Sequence, residues 1–168
     1  AKFDDIICVS EVVRDRFLEK IDVKPEHVKV IYNLIDKTSI LAQAEQANHP
    51  KNSTFTFCSV GRLSQQKGYD RLINVVKRLE DLGYQFKVNI IGTGIEEASL
   101  KRQIEVMNVK SIALLGYNKN PHSYVKQADV FVCSSRAEGF STAVAEAIIL
   151  GKAIISTNCS GAEEMLGK

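Results

Sequence analysis

A chain of 168 residues, 45% hydrophobic and 25% charged, has the composition of a soluble globular domain of ordinary size. Its formal charge of +2, from 22 basic and 20 acidic residues, argues against a nucleic-acid binder and against a polybasic membrane-surface protein. No apolar run approaches the roughly 20 residues that cross a bilayer. The four cysteines, Cys8, Cys58, Cys133 and Cys159, form no CxxC pair, so core thiols are expected rather than a zinc site or disulfides.

A short strand is predicted over residues 5–9. Ser10 can then cap a helix whose apolar face is Val13, Phe17, Leu18 and Ile21, until Pro25 breaks the pattern. A second strand is predicted over 28–32, a turn over 33–36 and a modest helix over 38–47. The polar run 48–53 is punctuated by Pro50 and reads as a linker. The chain therefore divides into three parts: residues 1–37, the tail of a preceding domain and its crossover; residues 38–53, a linker; and residues 54–168, the main domain. It opens without methionine and stops where a helix is starting, so a piece of a longer protein, cut at both ends, is expected.

After the linker the pattern becomes regular. Strands are predicted over 54–60, 85–91, 111–115, 130–133 and 153–157. Helices are predicted over 68–82, 95–107, 121–127 and 142–150, with another from 162. The first of these helices sets Leu72, Val75, Val76 and Leu79 on one face. The strand runs are almost continuously apolar, as in parallel strands covered on both sides. Alternating strands and helices of this kind make a doubly wound, Rossmann-like α/β domain.

In such a sheet the loops after the strands gather on one rim, where ligands bind. Here they carry Gly61-Arg62-Leu63 with Lys67-Gly68, then Gly92-Thr93-Gly94, Gly116-Tyr117-Asn118, and Ser134 through Gly139. Arg62 and Lys67 beside a helix N-terminus make an anion site, with a solvated loop as the plain alternative. Lys67 precedes Gly68, so this is not a Walker loop, and Glu97 stands where a dinucleotide fingerprint needs glycine. Gly94 is read as a tight turn letting backbone approach a ligand.

The last loop leads into the most unusual stretch. Glu138-Gly139-Phe140-Ser141-Thr142 places a carboxylate, a turn and a helix start in succession, with Ser141 or Thr142 as cap. The helix that follows is apolar on nearly every side, which predicts burial, yet it carries Glu146. Its neighbours three and four residues away are Thr142, Ala143, Ile149 and Leu150, none a cation. Glu146 is therefore either exposed or bound by something outside its helix. A carboxylate beside a phosphate site repels phosphate, so Glu138 and Glu146 are expected to accept hydroxyl hydrogen bonds instead. Glycoside hydrolysis by two carboxylates is the other use of such a pair. His122, beside Pro121 at a helix start, is read as structural.

Taken in order, these residues resemble a family. Glu138-Gly139-Phe140 through Glu146, with Ala147 and Gly151, resembles the E-x7-E signature of retaining family 4 glycosyltransferases of the GT-B fold. Gly61-Arg62-Leu63 with Lys67-Gly68 resembles that family's phosphate loop. Ile91-Gly92-Thr93-Gly94, Leu115-Gly116-Tyr117 and Gly161-x-x-Glu164 resemble its other loops, and residues 8–11 and 31–36 resemble the end of its first domain and the crossing into the second. Leu34, Ser141 and Ala162 depart from the usual Gly, Gly and Pro, which leaves the donor sugar open.

The resemblance implies one half of a GT-B fold, the donor domain of an enzyme that transfers a sugar from a nucleotide-sugar, a UDP-sugar, with retention. The catalytic set would be Glu138, Arg62 and Lys67. Donor binding would use Gly61, Arg62, Lys67 and the helix start Gly139, Phe140, Ser141 and Thr142 for diphosphate. Gly94, Gly116 and Tyr117 would hold the base, Glu138 the sugar and Glu146 the ribose. It implies no cofactor and no essential metal. It also implies a glycan or lipid-linked acceptor held by an N-terminal domain outside these residues, a cytoplasmic location and peripheral contact with the inner membrane face. By itself the chain would bind donor without transferring sugar. A non-catalytic nucleotide- or phosphosugar-binding module, and another GT-B enzyme such as an epimerase or phosphorylase, are the alternatives.

Overall fold

The computed structural model describes residues 4–46 and 53–167. Near the start, β1 (Ile6–Cys8) and β2 (Val28–Val30) pair in parallel, Ile6 opposite Val28 and Cys8 opposite Val30. The helix α1 (Glu11–Leu18) joins them, capped as its sequence predicts: Val13 N–H donates to Ser10 Oγ at 3.2 Å. Asp36 caps the next helix, α2 (Lys37–Glu45), by accepting from Ser39 N–H at 3.0 Å. The predicted end of that helix and most of the linker lie outside the described residues.

The remaining strands are β3 (Thr56–Val60), β4 (Lys87–Ile91), β5 (Ile112–Leu114), β6 (Val130–Cys133) and β7 (Ala153–Ser156). They form one sheet in the order β5-β4-β3-β6-β7, and every pairing is parallel. The helices between them are α3 (Tyr69–Asp81), α4 (Glu97–Val106), α5 (Pro121–Gln127) and α6 (Thr142–Ile149), with α7 (Ser160–Leu166) closing the described chain. This is the doubly wound α/β arrangement that the apolar strand runs predict.

Two cores flank the sheet. Val88 and Ile90 pack with Tyr69, Ile73 and Val76 of α3 and Leu100 of α4. The alternate strand residues, Cys58, Ile91, Phe131 and Cys133, pack with Val125 of α5 and Val144 and Ala147 of α6. Each large apolar side chain buried this way contributes about 1.5–3 kcal/mol. Two expectations need correction. Val75 is exposed, and the buried stripe of α3 is Tyr69, Ile73 and Val76, with Leu72 and Leu79 at its margin. The helix α6 is not buried all round: Val144 and Ala147 face the sheet while Ile148 is exposed, because a helix laid on a sheet covers one stripe only.

Candidate functional site

The strand order reverses between β3 and β6. From β3 the chain builds outward through β4 to β5, then returns to the other side of β3 for β6 and β7. The loops after β3 and β6 therefore face each other across the crevice where open α/β sheets take ligands.

These two loops are tied together. Arg136 N–H donates to Gln66 O at 2.7 Å, Gln66 Nε2 to Ala137 O at 2.9 Å, and Ser134 Oγ to Lys67 O at 2.8 Å. The Arg136 guanidinium grips Asp70 of α3 at both oxygens, at 2.7 and 2.6 Å, and those hydrogen bonds hold the Asp70 carboxyl below the usual range. Gly68 is the joint. Its φ is +66°, and a Cβ there would stand 2.2 Å from Ser134 O, so only glycine lets the loops meet.

Glu138 lies in this junction and is buried, not a surface acid. Lys67 Nζ donates to its Oε1 at 2.7 Å, and Ser135 Oγ donates to the same oxygen at 2.6 Å. The cation and the carboxylate that the sequence marks out separately are thus one ion pair. Arg62 is exposed and makes no side-chain contact of this kind among the described residues. Ser141 occupies the N-cap position of α6 but, contrary to expectation, makes no side-chain cap. The helix thus presents first-turn N–H groups and a partial positive charge beside the Lys67–Glu138 pair. A small cavity between them is lined by Ser59, Lys67, Tyr69, Ser135 and Ser141.

The next two loops extend the rim. Leu63 N–H donates to Thr93 O at 2.9 Å, Glu96 N–H to Leu63 O at 3.0 Å, and Gly92 N–H to Gly116 O at 2.8 Å. A Cβ on Gly94 would lie 2.2 Å from Leu63 O, so the close approach this glycine permits is to a neighbouring loop. Beside it opens a groove of about 280 Å³ lined by Gly61, Arg62, Thr93, Tyr117, Asn118 and Pro121. Tyr117 is 73% exposed there, and Gly116 turns the chain with φ +73°.

Glu146 has a partner outside its helix. Its Oε2 stands 3.3 Å from His122 Nε2 on α5. That is close enough for charge attraction but off the line of a hydrogen bond, since Nε2 is buried and makes none.

The Glu138 turn is buttressed from the N-terminal segment. Gly139 faces the methyls of Val9 and Val13, and Phe140 lies 6.1 Å from the Tyr32 ring. Glu138 O accepts from Gly161 N–H at 3.0 Å. Glu164 accepts from the N–H groups of Glu11 and Val12, at 3.0 and 3.2 Å, and from Tyr32 Oη–H at 2.6 Å, tying α7 to the start of α1. Burial alone pushes the Glu164 carboxyl up, but these donors outweigh it and hold it below the usual range. Local pattern does not mark Ser135, Arg136, Asp70 or His122 as site residues. The charge of Arg136 in the loop after β6 is the one signal for any of them.

Three comparisons bear on this site. Residues 42–168 match the family model described as glycosyl transferases group 1. The chain is 33% identical to an uncharacterized glycosyltransferase of Methanocaldococcus jannaschii, covering 98% of this chain and 43% of that protein. It is 29% identical to a Campylobacter jejuni N-acetylgalactosamine-N,N'-diacetylbacillosaminyl-diphospho-undecaprenol 4-alpha-N-acetylgalactosaminyltransferase, covering 99% and 45%. Among solved structures, Anabaena HepE in complex with UDP-glucose superimposes with a TM-score of 0.81 at 21% identity, over 98% of this chain and 48% of that one. The chain spans less than half the length of these curated relatives. No helix among the described residues is long and apolar enough to cross a membrane.

Proposed function

This chain belongs to the glycosyl transferases group 1 family, with the Rossmann-like half of a GT-B fold, and on that premise we propose that it is the donor-binding half of a retaining family 4 glycosyltransferase. The donor is a UDP-sugar, and the whole protein passes its sugar to a glycan or lipid-linked acceptor. The acceptor is held by a further domain, to which residues 1–37 are the tail, and the 168-residue chain binds donor without transfer. A lipid-linked acceptor would place the whole protein at the inner face of a membrane as a peripheral cytoplasmic enzyme.

The observation that carries this reading is the Lys67–Glu138 pair, at 2.7 Å, set at the topological switch point beside the N-terminus of α6. A leaving diphosphate gains negative charge as the glycosidic bond breaks. Lys67, Arg62 and the helix N–H groups are fixed donors for that charge, and such donors stabilise the transition state more than the ground state. They fill the role a metal would fill, so none is required. Lys67 has three N–H donors and Glu138 engages one, which leaves others for phosphate. Glu138 then stands beside the sugar as a hydroxyl acceptor. The groove by Tyr117 accommodates the base, and Glu146 accepts from the ribose.

The test is a calorimetric and thermal-shift titration with UDP, GDP, ADP and NAD. UDP is expected to bind and to stabilise by about 2.7 kcal/mol at 100-fold excess over Kd, and Arg62→Ala is expected to weaken it. A preference for NAD, or silence towards all four, refutes the donor site. Sugar transfer by the purified chain refutes the division of labour between domains.

A further inference from the structure

The ring that faces Glu146 has a defined proton. Gln43 Nε2 donates to Ser39 Oγ at 2.9 Å, which leaves Gln43 Oε1 as an acceptor. His122 Nδ1 then donates to that oxygen at 3.1 Å. The other ring nitrogen, Nε2, is buried without a hydrogen-bond partner and faces Glu146 Oε2, 3.3 Å away. His122 is only 9% exposed. His122 is the only ion-pair partner of Glu146 among the described residues. The charged side chain on α5, Lys126, is engaged with Glu45 of α2.

The surroundings place this pair beside the groove. Pro121, the residue before His122, lines it. Asn120, on the other side of Pro121, is tied to the same helix α2 by donating Nδ2–H to Gln43 O at 2.6 Å. Gln43 therefore anchors both flanks of Pro121 through its main chain and its side chain.

We propose that His122 is the positioning residue for Glu146. Held from behind by Gln43, its ring stands against Glu146 Oε2 and limits where the carboxylate can turn without occupying it in a hydrogen bond, so both oxygens remain available to a pair of vicinal hydroxyls on a nucleotide ribose. The inference rests on the reading of Glu146 as the ribose acceptor.

The test compares UDP with 2′,3′-dideoxy-UDP by calorimetry on the wild-type chain, Glu146→Leu, His122→Phe and His122→Gln. Wild type is expected to prefer UDP. His122→Phe is expected to lose about tenfold in UDP affinity, the scale of one hydrogen bond to a charged group, with dideoxy-UDP unchanged. His122→Gln, whose amide N–H can face Glu146, is expected to recover part of the loss. If His122→Phe does not fold, Gln43→Met, which releases the ring, serves in its place with the same expected pattern. Equal losses for both ligands would make His122 structural and overturn the proposal. Discrimination lost in Glu146→Leu but kept in His122→Phe would overturn it while leaving the ribose reading intact. Discrimination kept in Glu146→Leu would overturn the ribose reading, and the proposal with it.

Discussion

Glu138→Gln should make this chain bind a nucleoside diphosphate more tightly, although it alters a residue of the proposed donor site. Lys67 Nζ lies 2.7 Å from Glu138 Oε1, with the lysine side chain 22% exposed and the glutamate 6%. A phosphate oxygen that meets Lys67 from its open side at about 2.8 Å comes within roughly 5 Å of the carboxylate. At an effective dielectric of about 20, like charges at that distance repel by roughly 3 kcal/mol. Solvent and salt on the open side remove about half of it. The net gain on neutralising Glu138 is then about 1–2 kcal/mol, or roughly five- to thirtyfold in UDP affinity. Isothermal titration at low ionic strength measures it, and added salt should shrink the gain. The companion variant, Lys67→Met, leaves a buried carboxylate with Ser135 as its one side-chain donor among the described residues. It should destabilise the fold by about 3 kcal/mol, lowering Tm by roughly 6–12 °C for a chain of this size. Lys67→Met with Glu138→Gln should restore most of that. UDP affinity that is unchanged or weaker in Glu138→Gln would show that diphosphate does not compete for Lys67, and the charge argument would fall.

Two further perturbations test the scaffold. Gly68→Ala and Gly83→Ala both force alanine into positive φ, +66° and +85°, but only the first drives a Cβ to 2.2 Å from a backbone oxygen. Both should lose about 1–2 kcal/mol from conformation alone, with a clearly larger loss for Gly68→Ala in urea unfolding; equal losses would mean that the loops do not meet as described. Asp70→Asn should cost under about 1 kcal/mol near neutral pH, since the pair with Arg136 is partly exposed. Hydrogen bonds from Arg136 depress the folded-state carboxyl, so its stabilisation is complete above the unfolded Asp value of about 3.9 and is lost as pH falls through the lower folded value. The gap between Asp70→Asn and wild type should therefore close in acid, and a gap that does not change with pH would rule out the ion pair as its source.

The elements were legible because they depend on local spacing. Apolar runs of strand length, punctuated by Gly and Pro, mark the five parallel strands and the helices between them, and Ser10 is legible as a cap, whereas Asp36 reads only as part of a turn and caps α2 in the structure. The rim residues were legible for the same reason, since Arg62, Lys67, Gly94, Gly116, Tyr117 and Glu138 sit in loops after strands and Glu146 on the helix that the last loop begins. On α3 local spacing puts both Val75 and Val76 on the apolar face, and only packing against Val88 and Ile90 keeps Val76, leaves Val75 exposed and adds Tyr69 and Ile73.

What the sequence could not supply was adjacency. Lys67 and Glu138 are 71 residues apart. They meet because β6 returns to pair with β3, a choice of strand order that no local periodicity encodes. Glu164 reaches 153 residues back to Glu11 for the same kind of reason. The sequence by itself determined which chemical groups stand on the rim: two cations, two carboxylates, and glycines that allow close approach. The tertiary structure alone decided that one cation and one carboxylate neutralise each other, and that Glu146 faces His122. Coulombic attraction falls with distance through space, and distance along the chain does not set it.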